Sequence, residues 1–155
     1  MKLLPHLSLA ILIVFCSAAC SAARQQTYAT TTDELVDAAE RGDERRVSEI
    51  LAQGTNINRK NSNGYTALMG AAERGQLVIV QKLVAANADV NATNNFGWNA
   101  LMLSVVGGHA EVAQVLISAG ANVRYKTQNN ETALLLAERG KHTEIIEMLR
   151  KAGAR

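Results

Sequence analysis

Thiols, proline and aromatic rings are scarce in this 155-residue chain, and each shortage excludes a class of protein. Its two cysteines, Cys16 and Cys20, both lie near the start. The rest of the chain therefore has no disulfide staples and no catalytic thiol, and cannot mispair in an oxidising compartment. One proline and a 4% aromatic content are low for a β-sandwich with its many turns. Helices built from Ala, Leu, Val and Glu fit better. Charge of one sign is missing too. The net charge of +2 falls to about +1 without Lys2, too weak a field to attract a nucleic-acid backbone or an acidic lipid surface. What is present, 48% apolar and 19% charged residues, is the balance of a folded chain long enough for one core.

Long apolar runs are also missing, with one exception. Lys2 precedes a nearly uninterrupted apolar stretch from Leu7 to Phe15, and the small residues Ser17, Ala18, Ala19, Cys20, Ser21, Ala22 and Ala23 follow it. That order is the n-region, h-region and cleavage region of a secretory signal. A membrane-spanning helix needs about 20 apolar residues, roughly twice this run. Two processing routes remain open. Cleavage after Ala23 would use Ala23 and Ser21 as the required small residues. Cleavage before Cys20 would treat Ser17 to Cys20 as a sequence similar to a bacterial lipobox, whose cysteine receives lipid, although Ser17 stands where that motif usually has Leu. The expected organisation is a signal peptide over 1–23, or a lipoprotein signal ending before Cys20, then a polar tether over 24–31 and a folded domain over 32–155. The expected location is periplasmic or secreted, with membrane attachment only through lipid at Cys20.

The folded part repeats itself at a shift of 33 residues. Asp33, Thr66, Asn99 and Thr132 obey that spacing, and all four are helix N-cap types, worth about 1 kcal/mol each over alanine. Leu35, Leu68, Leu101 and Leu134 follow two positions later. Gly42, Gly75 and Gly108 form the next series, with Lys141 in the fourth place after Gly140. Gly54, Asn87, Gly120 and Gly153 form another, and Gly or Asn are the residues that take the left-handed conformation after a helix. Each unit therefore predicts a helix, a tight turn and a second helix, with repeats at about 32–60, 61–93, 94–126 and 127–155. In the second helices Val47 and Ile50, Val80 and Leu83, Ala113 and Leu116, and Ile146 and Leu149 each share a face. One such unit cannot bury that face alone, and stacking does. Arg46 and Arg150 stand where inner units carry Ile79 and Val112, or Val84 and Ile117, as suits end units with one open face.

The units beginning GYTALMGAAERG at Gly64, GWNALMLSVVGGH at Gly97 and NETALLLAERGKH at Asn130 resemble the ankyrin repeat family, over about residues 32–155. The resemblance implies an all-α solenoid of helix-turn-helix units joined by β-hairpin-like loops. Ala67, Ala100 and Ala133 replace the family's proline, and Met69, Met102 and Leu135 replace its histidine, which implies a softer array.

Chemistry is sparse. His109 and His142 lie one repeat apart with no third ligand recurring beside them, and the family pattern has His there for the turn. Gly140, Lys141, His142 and Thr143 are similar to the end of a phosphate loop but lack its earlier glycine and preceding strand. Glu111 and Glu144 also repeat, and repetition marks architecture, because a catalytic residue is needed once. No catalytic, cofactor or metal residue is assigned, and no cofactor is expected.

The family resemblance implies partner binding through the hairpin tips and inner helices, here tips over 59–63, 92–96 and 124–130. Phe96 and Tyr125 are the expected partner contacts, because the repeat gives neither a packing duty, whereas Tyr65 and Trp98 follow the turn glycine and are expected to pack between repeats. Arg59, Lys60, Arg124 and Lys126 make the same ridge basic, which favours an acidic partner or is a solvated edge. The expected function is a monomeric protein-binding module, a scaffold outside the cytoplasm. Two alternatives are an inhibitor or immunity-type protein that occludes one exported enzyme, and an envelope-anchored structural stabiliser. Mass spectrometry of the exported protein should find the residues before Cys20 missing, and an intact Met1 on that form would refute export. If lipid is attached, Cys20→Ser should release the protein from membranes.

Overall fold

The computed structural model describes residues 34–155. The leader, Cys20, the tether and the Asp33 cap lie outside them. The described residues hold eight helices and no strand, an all-α solenoid. Helix α1 covers 34–41, and α2 runs Glu44–Ala52, α3 Ala67–Glu73, α4 Leu77–Ala85, α5 Ala100–Val106, α6 Ala110–Ser118, α7 Ala133–Gly140 and α8 Thr143–Lys151. Local chemistry starts the inner helices. Thr66, Asn99 and Thr132 sit in extended backbone, and their side-chain oxygens accept from the N–H groups of Met69, Met102 and Leu135 at 3.4, 3.0 and 3.1 Å. Each cap pairs one orphan donor of a helix only seven or eight residues long.

The helices stack in two rows. The odd-numbered inner helices pack α3 on α5 and α5 on α7, and the even-numbered outer ones α2 on α4, α4 on α6 and α6 on α8. Between the rows lies one continuous core, with Val47, Ile50, Val80, Leu83, Ala113, Leu116 and Leu149 fully enclosed. Ile146 and Leu134 break the expectation for their columns, being only half-buried. Both lie in the fourth repeat, on which no further repeat is stacked among the described residues. At the two ends, apolar columns are exchanged for ion pairs. Glu34 and Arg46 pair at 2.7 Å in the places held by Ala67 and Ile79, while Arg150 and Glu138 pair at 3.0 Å in the places held by Ile117 and Val105. These exposed pairs contribute at most about 1 kcal/mol each, so what they achieve is solubility of an end face. No helix among the described residues is long and apolar enough to cross a membrane.

Polar side chains link successive repeats at fixed register. Asn58 Oδ1 accepts from the Asp89 N–H and Asn91 Oδ1 from the Asn122 N–H, both at 2.8 Å. Gln76 Nε2 donates to the Glu40 carbonyl at 3.4 Å, and His109 Nε2 meets the Glu73 carbonyl at 3.1 Å. A carbonyl only accepts, so this contact puts the imidazole proton on Nε2. The His109 ring is wedged over Gly75 and Gly107, where an added β-carbon would come within 2.5 Å of it.

The turn after each inner helix needs a left-handed residue. Gly75 and Gly108 adopt φ of 70° and 73°, and Lys141 takes the same role at φ 57°. A lysine in that region carries a strain of about 1 kcal/mol that glycine avoids. Lys141→Gly should raise stability by roughly that amount, read as an upward shift in denaturant midpoint with an unchanged slope. A lowered midpoint would refute the strain.

Candidate functional site

Inner helices and hairpin tips of the second, third and fourth repeats line a groove of about 790 Å³. Each tip is closed by hydrogen bonds to its own side chains. Asn61 Oδ1 accepts from the N–H groups of Asn63 and Tyr65, and Asn94 Oδ1 from those of Phe96 and Trp98, at 2.9–3.0 Å. Asn94 is buried while doing so. In the third tip Thr127 Oγ1 accepts from the Glu131 N–H at 3.1 Å. Antiparallel bridges at Thr93–Asn99 and Lys126–Thr132 close the bases of two tips.

Phe96 projects from its tip with 74% of its surface exposed, as a partner contact requires. Tyr125 does not behave as expected from the sequence. It is half-buried against the core, and its hydroxyl lies 3.7 Å from where a β-carbon on Gly97 would sit. It packs against the neighbouring tip, sharing the space beside Gly97 with the side chain of Thr127. Two of the four ridge cations are also engaged in architecture. Lys60 Nζ donates to the Thr93 carbonyl at 2.5 Å, and Arg124 Nε to the Gly153 carbonyl at 2.9 Å. Arg124 occupies the column of Asn58 and Asn91 and makes the same kind of link to the next repeat. Arg59 and Lys126 are exposed. Tyr65 and Trp98 are half-buried against the core, in agreement with packing between repeats, and each also lines the groove.

The sequence reading missed the groove's inner wall: Leu103 and Val106 on α5, and Glu73 and Arg74 at the end of α3. Val106 is 52% exposed. The signal was present in the columns of the repeat. Val106 shares a column with Glu40, Glu73 and Arg139, and Phe96 shares one with Asn63 and Asn129. In both columns this repeat alone places an apolar side chain in a solvated position.

Electrostatics of the wall follow from burial. The Glu40 side chain lies along α3 over Gly70, where a β-carbon would approach its Cγ to 2.7 Å. Burial raises the Glu40 carboxyl pKa, Arg74 opposes that, and Glu73 reinforces it. The Tyr65 phenol is raised as well, first by burial and then by Glu73. Glu131 is paired with Arg139 at 2.9 Å. The histidines stay architectural, and among the described residues no three His, Cys, Asp or Glu side chains cluster as metal ligands.

A stack of helix pairs with a concave groove and polar tips defines a helical-repeat binding solenoid. The family model for ankyrin repeats (3 copies) matches residues 35–127 and 69–155. The chain belongs to the ankyrin repeat family, whose repeats are protein-interaction modules. Among the curated proteins, none matches it.

A carboxyl raised in the folded state favours folding below its ordinary range, and that contribution is lost as pH rises through the raised value. Glu40→Gln should therefore melt higher than the parent chain at about pH 7, with the gap closing towards about pH 4. Thermal unfolding at both pH values tests this, and a gap that widens on acidification would refute it.

Proposed function

We propose that the concave groove binds one partner protein outside the cytoplasm, and that the chain acts there as a scaffold. The exposed Phe96 beside a groove floored by Leu103, Val106 and Trp98 carries this reading. Large aromatic side chains are expensive to leave in water and dominate interface energies when a partner covers them. The groove's groups suit binding and not bond-breaking: no nucleophile-and-base pair is assembled there among the described residues. Export is supported by the apolar leader and by the thiol-free body. Occlusion of one exported enzyme uses the same surface and differs only in what the partner does. Anchoring through a lipid on Cys20 would make the chain an envelope stabiliser, and palmitate labelling separates that case.

A partner identified by capture from an envelope extract and mass spectrometry allows the decisive measurement. Phe96→Ala should weaken that complex by about 2 kcal/mol or more, an interface hot-spot magnitude, and leave the melting temperature nearly unchanged. Tyr125→Ala should instead cost stability, about 1–2 kcal/mol for a half-buried ring. If Phe96→Ala leaves affinity untouched while changes on the outer helices abolish it, the groove is not the binding face.

A further inference from the structure

Asparagine followed by glycine occurs once in the chain, at Asn63 and Gly64 in the tip of the second repeat. The pair is chemically unstable by itself. Glycine has no β-carbon to obstruct the approach, so its backbone nitrogen can attack the side-chain carbonyl carbon of the asparagine before it. Asn63 is exposed, and among the described residues no hydrogen bond holds its side-chain amide. Other asparagines of the tips differ on one count or the other. Asn95 precedes the bulky Phe96 and its amide donates to the Ser62 carbonyl at 3.1 Å, Asn94 is buried, and Asn129 precedes Asn130.

What restrains the reaction is Asn61. Its side-chain oxygen accepts from the Asn63 and Tyr65 N–H groups, and its backbone carbonyl accepts from the Gly64 N–H at 2.9 Å. The attacking nitrogen is thereby tied down, and Gly64 is buried in the closed tip. It reaches the side chain only when the tip opens.

We propose that Asn63 is a self-modification site of this protein and that Asn61 is the latch that sets its rate. In the opened tip Gly64 gives up its amide proton to hydroxide and its nitrogen bonds to Cγ of Asn63. The Cγ–Nδ2 bond then breaks, and ammonia leaves with a proton from water, restoring hydroxide. Water opens the cyclic imide. Entry at Cγ yields aspartate, and entry at the backbone carbonyl yields isoaspartate, whose main chain runs through the side chain and is longer by a methylene. Either product adds a negative charge. Isoaspartate also displaces the Asn63 carbonyl, which accepts at 3.3 Å from the N–H of Asn95 in the tip that carries Phe96. A β-carbon on Gly64 would come within 2.7 Å of that Asn95 nitrogen, so the two tips have no slack to absorb a longer chain.

Incubating the full, folded chain at mildly alkaline pH, followed by tryptic digestion and fragmentation mass spectrometry, tests this. The exchange of NH2 for OH should appear on Asn63, in the Asn61–Arg74 peptide, before any other asparagine, and as two chromatographically distinct products. Asn61→Ala should speed it about fivefold, the factor for one lost hydrogen bond of ordinary strength, and Asn63→Gln should abolish it. The parent unfolded in urea should convert at least as fast as Asn61→Ala. In the modified fraction the Asn95 amide should exchange its hydrogen faster than in the parent. Earlier conversion at another asparagine would overturn the site. A folded parent that converts as fast as Asn61→Ala or as the unfolded chain would overturn the latch.

Discussion

Everything in this molecule depends on one shortage: a unit of two short helices has more apolar surface than it can bury by itself. The inner helices are seven or eight residues long, too short to be stable alone in water. Their apolar sides are covered only when the next unit stacks on them, which is why Leu68 and Leu101 are enclosed while Leu134, in the last unit, is half-exposed. The same constraint explains the ends. Where no neighbour among the described residues covers a column, alanine, valine or isoleucine gives way to a charged pair, Glu34 with Arg46 and Glu138 with Arg150. Stability is then a property of interfaces between units, and damage in one unit is felt in its neighbours.

Apolar stacking alone is non-directional, and the register comes from polar links. Asn58, Asn91 and Arg124 each reach one unit forward, while Gln76 and His109 each reach one unit back. A slip of one residue would leave those backbone groups unpaired at a cost of about 1–3 kcal/mol for each one buried. These side chains are occupied by the fold. That is why a row of basic tips is less available than its composition implies.

The groove's exposed apolar surface lies where the repetition fails. A column filled by the same kind of residue in every unit serves the stack, whereas Phe96 and Val106 are apolar in columns that are otherwise polar or charged. Both belong to the third repeat, and both face the groove bounded by Trp98 and Leu103. Glu73 is acidic like Glu40 in the same column and still lines the groove, because stacking brings side chains of the next unit to the same surface. An ordinary residue becomes part of a site through its surroundings.

The sequence by itself determined the helix pairs, their caps, their turns and the family, because these depend on near neighbours and on a period of 33 residues that one chain displays openly. It also showed Phe96 as an aromatic without a packing duty. Only the tertiary structure decided what Tyr125 and Arg124 do, since Tyr125 packs beside the tip at Gly97 and Arg124 reaches the next unit, contacts that no local pattern records. The end ion pairs and the groove wall of Leu103 and Val106 were likewise settled by stacking. Exposure and pairing are properties of surfaces brought together across the repeat interfaces, and a linear sequence states which residues recur but not which ones meet.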